Sequence, residues 1–164
     1  MSHPKPLTIC ILLGAGNHTQ AVIDDLWHRA VGTVDPAEWA LTGTAAYLRQ
    51  DGVALATPSP DLQLVAFEGT PPSRLDTALA AAAAKAGPVG IIGRLLRDNL
   101  RSRRLARAFA QRKGLVDTFA GSAVVVSGDV SADRAVWQLR NRTQAGLVHG
   151  PVAMVHTLRT LARP

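Results

Sequence analysis

Apolar side chains recur along this chain in different rhythms, and each rhythm predicts a different element. Leu7 to Leu13 is seven residues without a charge, rich in branched side chains, and it stops at Gly14. A short continuous run of this kind predicts a strand buried on both faces, the first strand of a parallel sheet. After Gly14-Ala15-Gly16, the positions Ala21, Val22, Ile23 and Leu26 share one helical face while Asp24 and Asp25 turn elsewhere, predicting a helix with Asn17 as its N-cap. Leu62 to Phe67 predicts another strand. Pro71-Pro72-Ser73 opens a helix through the alanine tract Ala80 to Ala84, and Gly87-Pro88 ends it. Val89 to Gly93 predicts a short buried strand, followed by a helix to Lys113. Between these, Pro36 to Ala46 predicts turns, Thr44 to Gln50 a short helix and Val53 to Ala56 an edge segment.

Strand and helix alternate, so the expected fold class is α/β: a Rossmann-like parallel sheet flanked by helices, with ligands at the C-terminal ends of the strands. That expectation puts Gly14 to His18, Asp35 and Gly93 on one edge. Beyond Gly114 the rhythm changes. Valine stands at 124, 130, 136 and 148 and Met154 continues the series, which Arg142 interrupts. A spacing of six suits the sides of a left-handed β-helix, here truncated to about two coils. Equally, Val124 to Val126 and Ala135 to Leu139 read as two strands added to the sheet, with a terminal helix over Val152 to Ala162. Either way the chain divides into a nucleotide or nucleotide-sugar binding domain over 1–116 and a short C-terminal β appendage with a helix over 117–164.

Charge adds a second layer. The chain of 164 residues has a formal net charge of +6, and eight of its 18 Lys and Arg fall between Arg94 and Lys113 against one acid, Asp98. Such a segment suits nucleic acid, a phosphorylated ligand or an acidic partner, but no aromatic side chains interleave with it, which disfavours nucleic acid. Most of these arginines read as the solvated face of an amphipathic helix whose apolar side is Leu100, Leu105, Ala108 and Phe109. No apolar run approaches the ~20 residues that cross a bilayer, so no membrane partner is expected. The run before Gly14 is short for a signal peptide, and a cytoplasmic location is expected. Cys10 cannot form an internal disulfide and reads as a buried thiol.

The candidate chemistry centres on Gly14 to His18. Two glycines and a helix start expose amides suited to a phosphate, although Thr19 stands where the dinucleotide fingerprint has its third glycine. Asp35 closes the apolar segment Ala30 to Val34 at about the distance from Gly14 where such units place a ribose-binding acid. His149 and His156 make a weak metal pair, so no metal is expected. Asp129 and Asp133 read as loop acids. No Ser-His-Asp grouping is visible in the linear sequence.

Together these segments resemble the sugar acyltransferases of the sialic-acid and bacillosamine type, which join a Rossmann-like domain to a left-handed β-helix. Gly14-Ala-Gly16-Asn17-His18 followed by Ala21-Val22-Ile23-Asp24 is similar to their opening glycine turn and helix. Gly93, then Asp98-Asn99-Leu100-Arg101, resembles their second motif, and Ser122-Ala123-Val124-Val125 the start of the β-helix. The resemblance implies ligand binding by Gly14, Gly16, Asn17, His18, Asp35, Gly93 and Arg101, a nucleotide-linked sugar as small-molecule partner, acyl-CoA as co-substrate and a homo-oligomer. It also implies that His149, at the end of Asn141 to His149, is the general base, a role imidazole can fill at cellular pH. Gly150 stands where an orienting carboxylate would be expected. The alternatives are a non-catalytic Rossmann-like binding or scaffold protein, favoured by the brevity of the C-terminal part, and an NAD-linked oxidoreductase, weakened by Thr19.

Overall fold

The computed structural model describes residues 3–163 except Ala15, Asn17, Asp51, Val53, Thr70 and Pro72. Five parallel strands form one sheet in the order β3-β2-β1-β4-β5. They are β1 (Lys5–Leu13), β2 (Trp39–Leu48), β3 (Leu62–Phe67), β4 (Val124–Ser127) and β5 (Gly146–His149). The helices are α1 (Thr19–Val31), α2 (Arg74–Ala83), α3 (Gly87–Ala110), α4 (Lys113–Ala120), α5 (Asp133–Gln138) and α6 (Gly150–Leu161). The result is a Rossmann-like α/β fold whose strand order reverses between β1 and β4, the place where such sheets open a crevice.

The uncharged run of β1 is explained by its central place. It pairs with β2 on one side and β4 on the other, and helices cover both faces. Side chains alternate between two cores, as the strand period of two requires. Ile9, Ile11 and Leu13 pack with Ile23, Leu26 and Trp27 of α1 and with Met154 and Leu158 of α6. Cys10 and Leu12 pack on the other face with Leu105 and Phe109 of α3, Phe119 of α4 and Val136 of α5. The chain's three phenylalanines meet there: Phe109 lies edge-on to Phe119 at 5.1 Å, and Phe67 is 6.5 Å from Phe109.

Several expectations are corrected. Trp39–Leu48 is neither turn nor helix but the strand beside β1. Its small residues have a packing reason: a Cβ on Gly43 would come within 2.8 Å of both Leu62 and Trp27. Ala54 to Thr57 is irregular, and Val53 lies outside the described residues. This loop is pinned to α1 by a reciprocal pair, Gln20 Nε2 donating to the Ala56 carbonyl at 2.9 Å and the Ala56 amide donating to Gln20 Oε1 at 2.8 Å. Val89 to Gly93 is the start of α3, not a strand. The six-residue series does not build β-helix coils: Val124 and Val148 lie on the paired strands β4 and β5, and Val136 is helical. Of the two added strands expected, Val124 to Val126 is real, whereas Ala135 to Leu139 is helical. The terminal helix is present as α6.

Candidate functional site

A cavity of about 1150 Å³ opens at the C-terminal ends of β1, β2 and β3. Its floor is Gly16, Leu48, Gln50 and Gly69, and one wall is Asp129 to Ser131 after β4. The opposite wall is α3, which contributes Arg97, Asp98, Arg101, Ser102 and Arg104. This is the crevice at the reversal of strand order, where open α/β sheets bind their ligands.

The floor is built by close approach. The Gly14 amide donates to Asp129 Oδ2 at 2.6 Å, and Asp129 Oδ1 accepts from Ser131 Oγ at 2.5 Å and from the Ala132 amide at 3.1 Å. A Cβ on Gly14 would lie 2.0 Å from Ser131 Oγ, so any larger residue there would push the Ser131 hydroxyl off Asp129. The first amide of the glycine turn is therefore satisfied by the chain's own carboxylate. Gly16 is different: it is exposed, lines the cavity, and a Cβ there would meet nothing within 4 Å. His18 caps α1 without a side-chain bond and is exposed, and Asn17 lies outside the described residues.

The wall carries mixed charge. Arg104 is committed to structure, donating to Asp76 Oδ2 at 2.5 Å and to Ser73 Oγ at 2.9 Å. The Ser73 amide and the Arg104 guanidinium hold the Asp76 carboxyl below its ordinary range. Arg97 is ion-paired with its neighbour, its Nε 3.5 Å from Asp98 Oδ1, and its side chain lines the crevice. Arginine side chains on such a wall suit an anionic ligand, which guanidinium groups hold by charge-assisted hydrogen bonds. Arg101 is exposed on the same wall.

A second cavity of about 430 Å³ lies past the start of α5 and shares no lining residue with the first. It is lined by Ser127, Asp133, Val136, Trp137, Leu147 and His149, among others. His149 Nδ1 lies 2.7 Å from Asp133 Oδ1 and 2.9 Å from Ser127 Oγ, and Ser127 Oγ also donates to Asp133 Oδ1. With its proton on Nδ1, the imidazole donates to the carboxylate and keeps Nε2 as an acceptor. Serine and aspartate both meet Nδ1, so this is not the arrangement of a serine nucleophile, which needs the hydroxyl on the other ring nitrogen. Ser127 is also only 1% exposed.

A carboxylate does lie beside the His149 ring, that of Asp133, a residue the linear sequence presents as a loop acid. The signal for it is register: Ser127 stands opposite His149 on adjacent parallel strands, and Asp133 opens the helix that joins them. Gly14 and Asp129 meet for the same kind of reason, since Leu12 is in register with Ser127 two residues earlier on each strand.

Two predicted site residues are elsewhere. Asp35 lies in the loop that enters β2, at the opposite end of the sheet, where its carboxylate accepts from the Ala37 amide at 2.9 Å. It cannot reach a ligand at Gly16. Gly93 lies within α3 and faces α2: a Cβ there would come within 2.6 Å of the Ala83 nitrogen. Its smallness serves helix packing. No protein-family model, curated protein or solved structure matches the chain. Among the described residues, no group of three or more His, Cys, Asp or Glu could hold a metal ion, and no helix is long and apolar enough to cross a membrane.

Proposed function

We propose that the chain binds a nucleotide-type small molecule in the crevice between Gly16 and the arginine wall of α3. The observation that carries this reading is the pair Arg97 and Arg101 lining the crevice together with Gly16, at the reversal of strand order. A ligand with both anionic and hydroxyl groups matches that lining: arginines for phosphate, and Asp129 and Gln50 for donors on a sugar or base. Since Asp129 holds the Gly14 amide, phosphate recognition falls to α3 and to the start of α1 beyond Gly16.

Acyl transfer to a nucleotide-linked sugar, with acyl-CoA as donor, is the second reading. What favours it is the His149 ring, held through Nδ1 by Asp133 with Nε2 left to take a proton. Against it stand the separation of His149 from the crevice and the use of β4 and β5 in the sheet. One titration series tests both. Calorimetry with nucleoside mono- and diphosphates, a nucleotide sugar and acetyl-CoA is expected to show nucleotide binding that weakens at least tenfold in Arg101→Ala and is unchanged in His149→Ala. No binding by any nucleotide refutes the reading. Thiol release from acetyl-CoA that needs both a nucleotide sugar and His149 establishes transfer.

A further inference from the structure

His149 and Trp137 line the same cavity of about 430 Å³, and both rings are held in place there. The Nδ1 edge of His149 is engaged by Asp133 Oδ1 at 2.7 Å and by Ser127 Oγ at 2.9 Å, which fixes the imidazole and leaves Nε2 unused. Trp137 is 60% exposed, whereas Trp27 is buried and Trp39 half-buried. An indole has a large apolar face to lose to water, and tryptophans left at a surface are enriched where something else is bound. This one is also immobilised. The Arg140 guanidinium carbon stands 3.3 Å from the ring centroid, and Arg140 Nη1 donates to the Trp137 carbonyl at 3.4 Å. Arg140 thus covers one face, and the exposure of the ring belongs to the other. Val136 and Leu147 add apolar lining, and Arg134 adds a cation that makes no ion pair among the described residues.

We infer that this cavity is a second ligand site, separate from the crevice, and that it takes a small aromatic acid carrying a hydroxyl, of the hydroxybenzoate class. Each part of the ligand answers a feature of the lining. The free indole face stacks a flat ring, and Val136 and Leu147 suit its edge; a sugar ring would set hydroxyls against those side chains without partners. With its proton on Nδ1, His149 offers Nε2 as an acceptor, so the ligand must donate, and a phenolic hydroxyl does so from the ring plane. Arg134 and Arg140, both exposed, favour an anion over a cation, and a carboxylate fits the guanidinium fork. The volume holds one substituted ring, whereas the crevice, at about 1150 Å³, has room for a nucleotide. The inference does not depend on the nucleotide reading, because the two cavities share no lining residue. It also gives Nε2 a role in recognition, where acyl transfer would give it one in proton removal.

Nitrogen–proton correlation spectra of the full chain, titrated with 4-hydroxybenzoate, are expected to shift at the Trp137 indole N–H and at His149. For a ligand of about ten non-hydrogen atoms the dissociation constant should be roughly 0.1–1 mM. Trp137→Ala should weaken binding at least tenfold with an unchanged circular dichroism spectrum, because Trp137 is exposed and its loss leaves the core intact. Benzoate should bind wild type about fivefold more weakly than 4-hydroxybenzoate, and the two should bind His149→Ala alike, since the hydroxyl has then lost its acceptor. Arg134→Ala should weaken 4-hydroxybenzoate about fivefold. No shift at Trp137 and His149 up to about 10 mM overturns the inference, as does affinity that survives Trp137→Ala or a hydroxyl preference that persists in His149→Ala. Equal binding of cyclohexanecarboxylate or of a methyl glucoside also overturns it, since neither ring is aromatic. Shifts centred on Gly16 and Arg101 would assign the compound to the crevice and overturn it too.

Discussion

From Leu105 to Phe109 the apolar side chains of α3 press on the sheet and are buried; from Val89 to Leu96 its aliphatic side chains stand in solvent, and only Gly90 and Gly93 are buried. The difference is not in the helix but in what lies under it. Beneath the C-terminal half are Cys10, Leu12 and Val125 from the middle of the sheet, while beneath the N-terminal half there is only α2. Periodicity therefore identifies a face that must be covered without saying by what. The helix leaves the sheet at Ser102, where the crevice begins, so the overhang and the candidate ligand site are consequences of one geometric fact.

The sharpest way to break this comparison is to delete side chains of similar bulk from the two halves. Phe109→Ala removes a buried ring that meets Phe67 and Phe119, and it should cost about 3–5 kcal/mol, lowering the melting temperature by roughly 10 °C. Ile92→Ala, at an exposed position, should change stability by only about 0.5 kcal/mol or less. Equal losses at the two positions would mean that the overhang is packed too.

A smaller effect separates the centre of the sheet from its surroundings by pH. Burial pushes the Cys10 thiol up from its ordinary 9.0 to about 11. Between those values the unfolded chain releases the proton and the folded chain keeps it, so stability is full below pH 9 and falls as pH rises toward 11. The full loss is about 3 kcal/mol. Denaturation curves of wild type and Cys10→Ala at pH 8 and pH 10.5 should converge at the higher pH, since the variant lacks this contribution. A constant difference between them would show that the thiol titrates alike in both states.

How much of this was legible follows the same division. The run Leu7 to Leu13, the glycine turn and α1 could be read because both faces of β1 are buried and α1 has one apolar face, so the pattern and the environment agree. Strand β2 could not, because its sequence is dictated by neighbours: Trp27 and Leu62 leave room only for glycine at position 43, and Ala45 and Ala46 are fully buried small residues. Gly93 misleads in a related way. A glycine between apolar residues reads as a strand ending at a turn, whereas here it is the close-approach point of two helices. At the candidate site, single residues were visible and pairs were not. Asp129 with Gly14, and Asp133 with His149, are joined only by strand register, which no local window contains.

Gly93 gives the finest test of the contrast between the halves of α3. Alanine at an exposed helical position normally stabilises by about 1 kcal/mol relative to glycine. Here its Cβ would come within 2.6 Å of the Ala83 nitrogen and 2.8 Å of the Ala82 carbonyl carbon, backbone atoms that cannot rotate away. Overpacking against backbone should outweigh the helical gain, giving a net loss of about 1–2 kcal/mol. The loss should be local. Hydrogen exchange of α2 amides should accelerate roughly tenfold while amides of β1 and β4 stay protected, because α2 leans on α3 and the sheet does not depend on it. Exchange accelerated equally in β1 would mean that the α2–α3 pair and the sheet unfold as one unit, and that the two halves of α3 differ in exposure but not in stability.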